Sequence, residues 1–457
     1  MSDYEDKRSN VQVMDVVERP LPQPASSQAE GVGESRWQRS KSYIASWLEP
    51  GPQKGTIPAL DGVRALACLI VVGYHINLIT LSSHVWFPAQ QPFVLAALLL
   101  AGGAGVTLFF VLSGFLLFLP YARALLLKSS WPSARRFYMR RAFRIIPAYY
   151  ICLFVLIALT HREYLRADHW SQLVLFLTFF MDSTNATWRM LNGPFWSLAV
   201  EWQFYLWLPW LALGVRALAW RCPPRGRLPA VIAGLLVIVS WGMVSQLWSS
   251  YLLSHPLPNT FGWNIVNVLF FGHGKYLQDF AIGSLISLLY IYTRYADSQK
   301  RLKNALQRCS PLLWVAGLGL LLLMALWNSN IASWRTGLMD DLYLACGEAG
   351  FSLGFGLCIL ALLFGNLHIQ KLFSWTALRW TGHVSYSTYM WHLPLLIFLI
   401  PFARSHMVGW NPLLVFTSYW LWVLLAIMPF SIIVFILTER PGMQLSNWLA
   451  RDKRKAA

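Results

Sequence analysis

Apolar residues along the chain gather into blocks of near bilayer-spanning length, separated by short polar segments. They cover about 57–80, 93–119, 145–160, 195–215, 229–248, 276–293, 311–327, 345–365, 385–402 and 412–438. This pattern predicts an all-α polytopic integral membrane protein with ten transmembrane helices. One further apolar piece, WSQLVLFLTFFM at 170–181, falls short of the ~20 residues a spanning helix needs. It is expected to form a short interfacial or re-entrant helix.

The first block, IPALDGVRALACLIVVGYHINLIT, breaks its own rule by carrying Arg64 and His75. On a helix these residues stand three turns and ~16 Å apart on nearly the same face. An ionisable group within hydrocarbon costs at least ~2.5 kcal/mol on insertion scales, so such groups face a bundle interior, a cavity or a partner. The first helix is therefore the expected spine of a membrane-embedded site.

Charge then fixes orientation. The chain carries a formal net charge of +17, with 56% hydrophobic and only 12% charged residues. Its basic residues lie between the apolar blocks, as Lys and Arg do in cytoplasmic loops, which argues against nucleic acid as the partner. Alternating ten spans from a cytoplasmic N-terminus leaves 30 of the 37 Lys and Arg on the inner side. Counting 170–181 as a span would instead put Arg216, Arg221, Arg225 and Arg227 outside. Both termini are thus expected in the cytoplasm and the protein in the cell membrane.

Residues 1–56 read as a disordered to interfacial cytoplasmic segment, 57–438 as the ten-helix transmembrane domain and 439–457 as a basic cytoplasmic tail. No basic start followed by an apolar core precedes the first block, so that span is expected to insert uncleaved. The six cysteines are scattered, without CxxC spacing or a nearby His cluster, and no metal site is read.

Several residues carry possible chemistry. Arg141 and Arg144 lie three apart on one helix face, where two guanidinium forks can grip phosphates or merely mark the inner side. Arg64 can equally pair with Asp61 one turn earlier. His75 suits a general base or a structural hydrogen bond. Glu201 is expected at a depth compatible with His75, to orient the imidazole, or else in an ion pair with Lys275. Ser113 in FFVLSG reads as a close-packing position or an acceptor-pocket residue. Tyr386, Tyr389 and His392 form a polar stripe that lines an acceptor pocket or a packed seam. Asp279 and Glu348 are further intramembrane acids without an assigned role.

The segments LDGVRALACLIVVGYH (60–75), FFVLSGFLL (109–117), RRAFRIIPAYY (140–150), GPFWSLAVEWQFYL (193–206) and SYSTYMWHLP (385–394) together resemble the membrane acyltransferases of family 3, the O-antigen acetylase type. The resemblance implies an O-acyltransferase moving an acyl group, acetyl in the first instance, from acyl-CoA (acetyl-CoA) in the cytoplasm to a hydroxyl of a carbohydrate or lipid-linked cell-envelope acceptor. It implies roles in activity for Arg64, His75, Arg141 and Arg144, with His75 as the base and the arginines as the coenzyme A grip. Many members have two glutamates where this chain has Glu201 and Trp202, which puts a role for the second carboxylate in doubt. The reading from another class is a proton-coupled secondary transporter, since intramembrane His and acids also serve proton relays. No internal inverted repeat supports it.

The orientation has a direct test. A single cysteine placed by Arg225→Cys in a cysteine-free background is expected to react with a membrane-impermeant reagent only after the inner face is opened. Reaction from the outer face would overturn the ten-span topology.

Overall fold

A computed structural model describes residues 57–82, 93–127, 129–255, 275–295, 299–329 and 337–455. The N-terminal segment 1–56 and the last two residues of the basic tail lie outside the described residues. Among the described residues there is no strand, and every apolar block is helical.

The elements are α1 (Pro58–Ser82), α2 (Phe93–Leu100) leading through a 3₁₀ turn into α3 (Gly105–Leu127), α4 (Ala134–Thr160), α5 (Trp170–Thr178), α6 (Phe195–Trp220) and α7 (Arg227–Ser254). After these come α8 (Leu277–Tyr295), α9 (Lys300–Ser329), α10 (Leu338–Phe364), α11 (Leu367–Phe373), α12 (Thr376–Phe398) and α13 (Ile400–His406). The last membrane run comprises α14 (Pro412–Trp422), α15 (Met428–Val434) and α16 (Arg440–Lys455), joined by two π turns. Each π turn ends two residues before a proline, Pro429 and Pro441. A proline lacks the N–H of the regular ladder and crowds the carbonyl four residues back, and the wider turn accommodates both.

Among the described residues eight helical stretches are long and apolar enough to cross a membrane by length and composition. The two other expected spans fall on α6 and α8, which are helical but carry Glu201, Gln203 and Arg216, and Gln278, Asp279 and Arg294. Gln203, Gln278 and Asp279 are buried, so part of this polarity is turned into the protein.

Two features depart from a plain reading of spans and loops. The basic segment 120–144 is largely helix, because α3 runs on to Leu127 and α4 starts at Ala134. Ser133 caps α4 by accepting from the Arg136 backbone N–H at 3.4 Å, and the Ala, Arg and Met that follow are good helix formers. Arg141 and Arg144 therefore ride on a rigid helix. The short piece is the nine-residue α5, which ends where Phe179 turns left-handed (φ 63°). Its last carbonyls are met by tyrosines of α4: Tyr149 donates to Phe176 O at 2.9 Å and Tyr150 to Leu177 O at 2.7 Å.

Glycines set the closest helix contacts. A Cβ at Gly114 of α3 would stand 2.1 Å from Phe280 O of α8, and one at Gly283 of α8 would stand 2.0 Å from Val111 O of α3. The two backbones meet directly, as small residues allow between membrane helices. Gly382 of α12 lies against Asp61 O of α1 in the same way, at 2.0 Å.

Gly283→Leu is expected to lower stability by ~1–3 kcal/mol or more through overpacking of the α3–α8 seam. Gly214→Ala, where a Cβ meets nothing within 4 Å, should be near neutral. Thermal unfolding in detergent distinguishes them, and equal midpoints for both variants and the parent would contradict the seam.

Candidate active site

Helices α1, α3, α4, α6 and α12 enclose a cavity of about 120 Å³ lined by Arg64, Ser113, Arg141, Arg144, Glu201, Tyr205, Tyr386 and Tyr389 together with apolar side chains. The three arginines come from two helices that the sequence placed eighty residues apart. Arg64 of α1 bonds Asp61 Oδ1 at 3.2 Å, the pairing expected one turn earlier. Arg141 stacks over the Tyr205 ring at 5.7 Å, and its Nε is buried without a hydrogen-bond partner. Arg64 feels the like charges of both Arg144 and Arg141, with Asp61 and Glu201 as counter-charges. A guanidinium does not give up its proton. Gathering three of them in one partly enclosed cavity, one with an orphaned buried donor, creates a place for an anion.

The string EWQFY of α6 distributes its side chains over three neighbours. Glu201 Oε1 accepts from Ser113 Oγ of α3 at 2.7 Å and from the Tyr205 hydroxyl. Trp202 stacks on Phe179 with ring centroids 5.1 Å apart, and it does not line the cavity. The position where many family members carry a second glutamate is thus a packing position here. Gln203 reaches Phe179 O at 2.9 Å and Asp182 Oδ1 at 2.7 Å. Phe204 stacks on Phe280 at 3.9 Å.

Glu201 does not meet the partners expected of it. Its hydrogen bonds lie on the arginine side, to Ser113 and Tyr205, and neither His75 nor Lys275 is among them. Lys275 instead pairs with Asp182 Oδ2 at 3.0 Å and donates to Gln203 Oε1 at 2.7 Å. The reason is the face of the helix: Gln203 turns toward the fully buried Asp182 and the ammonium, whereas Glu201, two residues earlier on α6, turns toward Ser113 and Tyr205.

His75 and His392 face each other where α1 and α12 run side by side. His392 Nε2 lies 3.1 Å from His75 Nδ1, and the ring centroids are 4.9 Å apart. His75 is partly exposed, whereas His392 is fully buried. Neither ring lines the arginine cavity, whereas Ser113, Tyr386 and Tyr389 do. Tyr389 lines the cavity, with its hydroxyl 2.5 Å from Ser197 Oγ and its ring edge-on against Phe109. The His392 ring lies 5.7 Å from that of Tyr389.

Other polar residues escaped the sequence reading. Tyr205 and Ser197 occupy helix positions that read as ordinary membrane residues. Glu439, fully buried, accepts from Ser387 Oγ at 2.5 Å and lies in electrostatic range of Arg144 and Arg64. Arg189, stacked at 5.4 Å over Trp188 and 6.0 Å over Trp196, is the charged group whose field reaches His75. It and Leu191 both adopt positive φ, at 57° and 59°. Only pairing across the fold singles these residues out. Asp279 and Glu348 are brought together between α8 and α10, where Ser352 donates to Asp279 at 2.6 Å and Thr107 to Glu348. They lie outside the cavity lining.

Residues 57–440 match a family model described as an acyltransferase domain, acyltransferase family 3. The peptidoglycan O-acetyltransferase OatA of Listeria monocytogenes serovar 1/2a is 25% identical over 366 residues, which are 76% of this chain and 50% of that protein. A putative peptidoglycan O-acetyltransferase of Bacillus subtilis, YrhL, is 29% identical over 76% of this chain and 49% of its own length. A putative O-acetyltransferase of Staphylococcus aureus (strain COL) is 25% identical over 86% of this chain and 59% of its own length. The chain thus spans roughly half the length of these relatives. No solved structure matches it. With the family model covering most of the chain and the family's five motif segments converging on one arginine-lined cavity and one histidine pair, this protein belongs to the membrane acyltransferases of family 3.

Proposed function

We propose that the chain is a membrane O-acetyltransferase that takes acetyl groups from acetyl-CoA on the cytoplasmic side and delivers them to a hydroxyl of a cell-envelope carbohydrate. The observation that carries this reading is the convergence of Arg64, Arg141 and Arg144 on one cavity about three helical turns from a partly exposed histidine on the same helix as Arg64. The relatives named as peptidoglycan O-acetyltransferases make a glycan hydroxyl the first acceptor class to test.

In this reading the arginines hold phosphates of the donor, and the unpartnered Arg141 Nε is a free donor for one of them. The cavity, at about 120 Å³, is well below the ~300–1,000 Å³ of pockets that take drug-sized ligands. It fits a phosphate or a short stretch of chain. A donor arm running from the arginines toward His75 passes Tyr389, which is bonded to Ser197. The thioester supplies the activated acyl group. His75 takes the proton of the acceptor hydroxyl as that oxygen attacks the thioester carbonyl; the C–S bond then breaks, and coenzyme A leaves as the thiol with the proton returned from His75. Glu201, through Tyr205, holds the floor under Arg141 and acts on the donor side of the site.

Arg141→Ala or Arg144→Ala is expected to weaken donor binding by ~1.5–3 kcal/mol, the worth of one charge-assisted hydrogen bond, with folding intact. Lysine at either position should rescue only in part, since it lacks the planar fork. Unchanged acetyl-CoA affinity in both alanine variants would leave these residues as topology signals.

His75→Ala should retain expression and acetyl-CoA binding and lose turnover by ~10²–10⁴. The readout is acetyl-CoA consumption by purified protein supplied with peptidoglycan fragments. In the parent, activity should fall as pH drops through the imidazole titration. Glu201→Gln should leave that inflection in place, because Glu201 bonds Ser113 and Tyr205 rather than His75. Near-normal turnover per folded His75→Ala molecule removes the base assignment. Failure of the parent to consume acetyl-CoA under any acceptor condition favours the transporter reading.

A further inference from the structure

We infer that His392 is a positioning residue whose bare Nε2 holds the Nδ1 proton of His75, so that Nε2 of His75 is the basic nitrogen offered to the acceptor. This rests on His75 being the proton acceptor, and it specifies which atom of the ring does the work.

The assignment follows from what surrounds each nitrogen. A neutral imidazole has one N–H donor and one acceptor, and its tautomer is set by its hydrogen-bond partners. His392 Nδ1 stands 2.7 Å from Tyr389 O and 3.2 Å from Thr388 O. Backbone carbonyls only accept, so this nitrogen must carry hydrogen. His392 Nε2 is then the lone-pair nitrogen. It points at His75 Nδ1, 3.1 Å away.

His75 Nδ1 in turn lies 2.9 Å from Val71 O, one turn earlier on α1. Both of its neighbours are acceptors, so His75 Nδ1 is protonated and its hydrogen is shared between Val71 O and His392 Nε2. The lone pair of His75 is left on Nε2, for which no hydrogen-bond partner is present among the described residues. Two protons are thus placed by three backbone carbonyls, without a carboxylate.

Burial assigns the two rings different roles. His392 is fully buried and therefore cannot meet an acceptor, whereas His75 is partly exposed. The packing also holds the rings rigidly. Tyr74 lies edge-on to His75 at 5.3 Å, and the Tyr389 ring is 5.7 Å from that of His392. A second imidazole here does what a carboxylate does in a Ser-His-Asp triad: it fixes tautomer and ring orientation, and it accepts a stronger hydrogen bond once the catalytic ring is protonated. Being neutral, it adds no second buried charge to the apolar side of the site.

The test uses the full chain in lipid nanodiscs with ring-¹⁵N histidine, His75 and His392 being assigned by comparison with His75→Ala and His392→Leu. In the resting protein both residues should show the Nδ1–H tautomer with a bare Nε2. His392→Leu should lower kcat for acetyl-CoA consumption by roughly 10- to 100-fold, the effect of one charge-assisted hydrogen bond, without changing the donor KM. His392→Gln, which keeps an acceptor near the Nε2 position, should recover most of that loss. A proton on Nε2 of either ring, wild-type kcat in His392→Leu, or a glutamine variant no better than leucine would each overturn the inference. Should His75→Ala keep its turnover, the base assignment falls, and the resting-state spectrum still decides where the protons sit.

Discussion

A guanidinium stays charged wherever it is placed, and inside a membrane it must be solvated by protein or by a ligand. Arg64, Arg141 and Arg144 share that constraint, and one end of the helix bundle is built around it. Asp61 answers Arg64, the Tyr205 ring lies against Arg141, and Glu201 supplies a carboxylate held by Ser113 and Tyr205. Glu439 adds another buried carboxylate within range of Arg144. The apolar lining of the same cavity, Leu112, Leu116 and Leu117 among it, keeps these charges from being dispersed in water. Three cations so arranged are satisfied in part and remain ready for an anion.

Rigid helix contacts convert that charge cluster into a site of fixed length. Gly382 brings α12 against Asp61 at the arginine end, and Cys68 meets the Ser385 carbonyl at 3.6 Å farther along. His392 meets His75 toward the other end of the same helix pair. One continuous seam therefore ties the arginine end to the histidine end. On the opposite flank the α3–α8 glycine contact fixes Ser113, and with it Glu201, at its depth.

The segment before α6 is held differently, by the buried Asp182–Lys275–Gln203 group. Breaking one partner of a buried ion pair leaves an uncompensated charge, commonly at a cost of ~3–5 kcal/mol, so such a group pins one geometry. Here it fixes the segment that carries Trp188, Arg189 and Leu191, while Asn192 adds a bond to the Met390 carbonyl at 2.8 Å. Positive φ at Arg189 and Leu191 is tolerated because both ends of the segment are anchored. The strained turn is thereby kept beside Trp196 and within electrostatic reach of His75.

Periodicity and hydropathy alone determined the helical blocks, the shortness of the 170–181 piece and the anomaly of Arg64 and His75, because each is a property of a few consecutive residues measured against bilayer thickness. The Arg64–Asp61 pair was legible for the same reason, being one turn of one helix. The extended helical start of α4 was less so, since a basic run serves equally as loop or as helix until Ser133 caps it. Partners across the fold were not legible: Lys275 with Asp182, Glu201 with Ser113 and Tyr205, Trp202 on Phe179, and His75 with His392. Apart from Glu201 and Tyr205, one turn apart on α6, each joins residues between 23 and 317 positions apart. Which pairs form depends on the rotation and depth of whole helices, quantities set by glycine contacts and side-chain packing rather than by local sequence. The tautomer of His75 belongs to that second class, since it is decided by which carbonyls and which second ring the tertiary fold brings to within hydrogen-bonding distance.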